Sequence, residues 1–263
     1  MTTDKSLADD FKTFAAHPES VLEGALLVAR FIDPQTDVAG IQKTLISLAE
    51  RVGSGASAQR VLAVLRDDGF RGAESYYEAR NSALGHVLLA RCGIPISLAV
   101  VILSIAQLLD LKAQGINFPG HFLLLLERQL VDPFALKVVE GAARTRLYNQ
   151  AGLPPGALLP PADARAITLR MLNNLKGIAL AAEDWSRALE CTDLQLLLAP
   201  SDLGIRMERV QLWVRLGVTG MALQEKAAAL ALCPDPPSRA RVEALLAGEQ
   251  RAQTGAEAPG KLH

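Results

Sequence analysis

The chain has 263 residues, half of them hydrophobic, with 27 basic against 28 acidic side chains. That length buries a substantial core in one large or two small domains, and the balanced charge excludes the basic footprint of a nucleic-acid binder. Cys92, Cys191 and Cys233 are odd in number and widely spaced, which gives neither a disulfide framework nor a metal pair and fits a reducing compartment, the cytoplasm.

The opening MTTDKSLADDF lacks a basic region followed by an apolar stretch, so export is not expected. A short amphipathic helix is expected over Leu7 to Ala16, and Pro18-Glu19-Ser20 opens a second with Leu22, Leu26 and Ala29 on one face, stopped by Asp33-Pro34. Asp37 caps a third helix with Val38, Ile41, Leu45 and Leu48 at helical spacing. Gly53-Ser54-Gly55 breaks before a fourth that carries Val61, Leu62 and Leu65.

Phe70-Arg71-Gly72 and Tyr76-Tyr77 read as a loop, and Asn81 to Arg91 as a helix ended by Gly93. Asn81 and Ser82 are expected to cap that helix; the minority reading makes them polar groups of a binding site. His86 has no carboxylate or second His at i+3 or i+4, so no metal role is expected of it.

From Pro95 to Leu109 there is neither Gly nor further Pro, and the apolar residues, Leu108 and Leu109 among them, run nearly all round: a buried helix entered through Gly93-Ile94-Pro95. The apolar run is too short to span a bilayer. Past Lys112 the period shortens. Ala113 to Phe118, Phe122 to Leu126 and Gln129 to Val131 read as antiparallel strands against the helix, with His121 opening one and Asp132 closing the next.

The words Gly69-Phe70-Arg71-Gly72, Asn81-Ser82, Gly93-Ile94-Pro95-Ile96-Ser97-Leu98, Phe118-Pro119-Gly120-His121-Phe122 and Asp132-Pro133-Phe134 resemble, in order, the SirB-type branch of the transglutaminase-like superfamily. The resemblance implies a papain-like α+β core, mainly helical, with a small antiparallel sheet. In thiol-using members a Cys at the buried helix start works with a His and an Asp on adjacent strands, and here His121 and Asp132 match. The nucleophile's place falls on Pro95, which has none; Cys92 comes too early and Ser97 two residues too late. Paired glycines usual after the Asp are replaced by Ala135-Leu136-Lys137.

Pro154-Pro155-Gly156 and Pro160-Pro161 interrupt regular structure, and long helical text follows. Ala188 and Ala222, Leu196 and Leu230, Leu198 and Leu232, and Pro200 and Pro234 recur at the 34-residue tetratricopeptide period. The expected organisation is a helical layer plus transglutaminase-like domain over 1–150, with its core about 76–140, then repeats over 162–247 and a disordered tail over 248–263. The last helix runs from Ser238 to Leu246. The repeats either offer a peptide groove or pack on the first domain.

Two functions from different classes follow. One is a non-catalytic binding or regulatory module with Pro95 in the nucleophile's place and a retained His121/Asp132 pair. The other is a peptidase- or amidase-like hydrolase using Ser97, His121 and Asp132. A protein or peptide partner is expected, and no cofactor, metal, nucleic acid or membrane; the sequence fixes no oligomeric state.

Overall fold

The protein is described from a computed structural model covering residues 5–154, 156–157 and 159–245. The expected tail from 248 and Leu246, the expected end of the last helix, lie outside these residues. By contact the chain divides into two compact units, one running to Ile178 and the other starting at Ala179.

The first unit opens with four helices: α1 (Lys5–Ala16), α2 (Val21–Ile32), α3 (Val38–Val52) and α4 (Ala58–Asp67). Ser20, Asp37 and Ser57 cap α2, α3 and α4 by accepting from the backbone N–H of Glu23, Gly40 and Arg60. Ile41, Leu45 and Leu48 are buried at the expected spacing. On α2 the buried residues include Ala25, Leu27, Val28 and Phe31, while Leu22 and Leu26, expected at the core, are half-buried. The apolar text of α2 is broad enough for more than one face, and its neighbours chose another.

The loop expected after α4 contains a two-residue strand, β1 (Arg71–Gly72), and a 3-10 turn over Ala79–Ser82 leads into α5 (Leu84–Ala90). Helix α5 ends on Arg91 in the left-handed conformation, with φ 52°, rather than on Gly93. Gly93 belongs to β2 (Cys92–Gly93), which pairs in parallel with β1.

Helix α6 (Pro95–Leu108) is the centre of this unit: every residue from Ile96 to Ala106 is buried. Helices α2 to α5 touch it, as do the strands β2, β3 (Ala113–Phe118) and β4 (His121–Leu126). Each Leu, Ile or Val taken out of water there contributes roughly 1.5–3 kcal/mol, which is why the helix needs no polar face. Leu108, expected to be buried, is 50% exposed because the helix outruns its cover.

The sheet is completed by β5 (Gln129–Asp132), β6 (Lys137–Val138) and β7 (Pro161–Ala162), in the antiparallel order β6-β5-β4-β3-β7. Pro161, which cannot donate to a ladder, sits on the edge strand. Alternation assigns the faces. Ile116, Phe118, Leu123 and Leu130 cluster with Val139 and with Tyr148 of α7 (Gly141–Gln150). Phe122, Leu124, Leu126 and Val131 point the other way, to the face where Ile167 of α8 (Ala164–Ala181) approaches Gly115.

The second unit holds α9 (Trp185–Leu198), α10 (Leu203–Arg215), α11 (Thr219–Ala231) and α12 (Pro236–Ala244). Ala188 and Ala222, the repeated small residues, are fully buried in α9 and α11, and Pro200 and Pro234 follow those helices. Arg209 of α10 is bonded to Glu225 of α11 and to Thr192 and Asp193 of α9, so one buried guanidinium joins three helices.

Candidate functional site

The start of α6 is built around Ser97. Its Oγ accepts from the Ile94 N–H at 3.1 Å and donates to the Ile94 carbonyl at 3.0 Å, and the side chain is fully buried. A β-carbon on Gly93 would lie 2.6 Å from that Oγ and 3.1 Å from Val87 Cγ1, so only glycine leaves the hydroxyl its place. Pro95 stands at the first helical turn, where its missing N–H costs nothing. The Gly93-x-Pro95-x-Ser97 word is therefore a helix-start lock.

His121 opens β4 after a turn in which Pro119 is followed by Gly120 at φ 73°, the sign a type II turn requires at that position. Its side chain is exposed and lies edge-on to Phe118, with ring centroids 6.0 Å apart. Continuing the β4–β5 register by one residue sets Asp132 opposite Leu123, so His121 and Asp132 share one face as diagonal neighbours. They do not bond: among the described residues no hydrogen bond joins the imidazole to the carboxylate. Asp132 Oδ1 accepts instead from the N–H of Phe134 and Ala135, at 2.9 and 3.1 Å. Their shared face is that of Leu123, Phe118 and the α7 residue Tyr148. The structure thus sets His121 and Asp132 on neighbouring strands, while the Ser97 hydroxyl is bonded within its own helix start.

Asn81 and Ser82 do not cap α5, whose cap position is Ala83 with no side-chain bond. Asn81 Nδ2 donates to the Ser75 carbonyl at 2.6 Å, and the buried Ser82 hydroxyl has no partner. The capping expectation fails because a 3-10 turn precedes the helix and moves its start two residues on.

The quoted words converge through the backbone. Ala73 N–H donates to the Gly93 carbonyl, and a β-carbon on Gly72 would fall 2.5 Å from the Phe134 ring, so Gly72 and Phe134 are in close contact. Arg71, Asn81, His86 and Cys92 line a cavity of about 270 Å³ beside them. A larger hollow of about 700 Å³ is edged by Asp33, Thr36, Arg80, His86, Leu89 and Arg91.

Burial pushes the Asp68 carboxyl up, but hydrogen bonds and charge from Arg51 and Arg91 outweigh it and hold it below its ordinary value. Arg170 of α8 was not marked by any sequence signal. It donates from Nη2 to the His121 carbonyl at 2.9 Å and lies 5.3 Å over the Phe122 ring. Among the described residues no group of three or more His, Cys, Asp and Glu is placed to hold a metal ion, and no helix is long and apolar enough to cross a membrane.

Comparison with known proteins agrees with this architecture. Residues 39–173 match the transglutaminase-like superfamily and residues 175–247 a tetratricopeptide repeat, which defines the class as a transglutaminase-like domain followed by repeats. A UPF0162 protein of Vibrio cholerae is 30% identical over 237 residues, covering 83% of this chain and 88% of that one. A UPF0162 protein of Xylella fastidiosa is 34% identical over 173 residues, covering 61% of this chain and 62% of its own length. Human F-box only protein 21 is 24% identical over 263 residues, 81% of this chain and 42% of that protein. The chain belongs to the UPF0162 family of transglutaminase-like proteins, consistent with the SirB-type words. It spans less than two thirds of the Xylella relatives it matches, and no solved structure matches it.

Proposed function

We propose that this protein is a non-catalytic binding and regulatory module in the cytoplasm, in which a transglutaminase-like domain and tetratricopeptide repeats serve protein recognition. The observation that carries this reading is the engagement of Ser97: both its hydrogen-bonding roles are taken by Ile94, inside a helix start that excludes water. A serine nucleophile needs its oxygen free beside a base. With Pro95 in the nucleophile's place and Asp132 turned to its own loop, His121 has neither a thiol to activate nor a carboxylate to orient it.

On this reading the domains are those expected from the text, a recognition domain at 1–150 and repeats over 162–247, and Asn81 and Ser82 belong to the walls of the binding region. The test is intact mass after a broad serine- and cysteine-reactive acylating probe, on the native protein and on Ser97→Ala and His121→Ala variants. The expected result is no adduct that depends on His121. An adduct on Ser97 lost in His121→Ala would establish the hydrolase instead.

A further inference from the structure

Arg170 is held as a ligand-binding guanidinium would be. It is half-buried, and its bonds go to neutral oxygens: Nη2 to the His121 carbonyl at 2.9 Å, and Nη1 to Asn117 Oδ1 at a long 3.4 Å. Its flat face is fixed 5.3 Å over Phe122. Among the described residues no carboxylate pairs with it, whereas Arg30, Arg187, Arg206 and Arg209, also half-buried or buried, each have one. A guanidinium has five donors, and these contacts use two of them.

Burial pushes the Arg170 guanidinium down, offset in part by the charge that Tyr76 carries when ionised. That tyrosine is 40% exposed and meets Tyr77, 78% exposed, edge to face with centroids 5.3 Å apart. Partly desolvated Arg and exposed Tyr are residue types enriched in interaction hot spots.

We propose that Arg170 binds a carboxylate carried by a partner peptide. A single fork matches the two oxygens of one carboxylate in a bidentate pair, and the charge it supplies balances a monoanion. The inference rests on the reading of this protein as a recognition module and names the chemistry that it recognises. The carboxylate comes from a chain terminus or from an acidic side chain, and the experiment separates the two.

The full-length protein is titrated into labelled octapeptide pools with randomised neutral flanks, followed by fluorescence anisotropy. One pool has a free C-terminus, one an internal Asp with the terminus amidated, one is amidated and neutral, and one is amidated with phosphoserine. The expected result is tighter binding of the first or second pool than of the neutral pool, weakened roughly tenfold in Arg170→Gln. Arg170→Lys keeps the charge without the fork and falls between. Circular dichroism on each variant verifies that it is folded. Equal binding of neutral and acidic pools, binding by the phosphoserine pool alone, binding indifferent to Arg170, or no binding by any pool overturns the proposal. The outcome is independent of the acylation test: an active serine would leave these titrations unchanged, and a failed titration would not create an adduct.

Discussion

Gly93 and Ser97 show how single atoms decide what a motif means. Gly93→Ala forces a β-carbon against Ser97 Oγ and Val87 and is expected to cost roughly 1–3 kcal/mol. Ser97→Ala leaves the Ile94 N–H without its partner and costs about 1–2 kcal/mol. The double variant should lose less than the sum, because removing the hydroxyl also removes part of the clash. Urea unfolding followed by circular dichroism measures all three, and strict additivity would refute the lock.

Asp68 offers a test by pH at the same scale. Its carboxyl is held low by Arg51 and Arg91, so the stability it contributes is complete above the ordinary carboxylate pKa and disappears as pH falls through the lowered one. Asp68→Asn should therefore be less stable than the native protein at neutral pH, with the gap narrowing below about pH 4. Urea midpoints measured across that range check it, and a gap independent of pH would contradict the pairing.

Among elements, α9, α10 and α11 are held by charge as well as by small residues. Arg209 and Glu225 have side chains only 9% and 10% exposed, so Glu225→Ala strands a guanidinium that keeps only Asp193 as an ionic partner. The expected loss is about 3 kcal/mol, at the low end for a broken buried pair because of Asp193. Trp185 and Trp213 are the chain's two tryptophans and both belong to the second unit, so their fluorescence in a urea titration reports that unit's loss directly. An unchanged midpoint would mean that the network is incidental. The repeats were legible here: Ala188, Ala222, Pro200 and Pro234 keep the period because close helix packing and helix termination recur with it. The Arg209 network was not, since nothing in the local text of α10 says which face meets Glu225.

For the whole molecule, charge is nearly balanced, with a net of -1 at pH 7. No salt-dependent retention on a duplex-DNA column is expected at about 0.15 M salt, since phosphate binding needs clustered cations whose counterions are released. Retention that falls steeply with salt would expose a basic face that composition conceals.

The sequence by itself determined the first four helices, the burial of α6, the strands that carry His121 and Asp132, and the superfamily, because these follow from hydrophobic period, Pro and Gly positions and short words read along the chain; α7 and the two-residue strands β1, β2, β6 and β7 were not legible in it. Tertiary structure decided what those words do. Whether Ser97 faced a substrate or its own helix start depended on how closely Gly93 lets it approach Ile94. Whether Asp132 met His121 or its own loop depended on the turn after β5. Arg170 reached the His121 strand from a helix whose local text gives no sign of it. Side-chain direction and long-range proximity are set by packing between elements, and no local pattern encodes them.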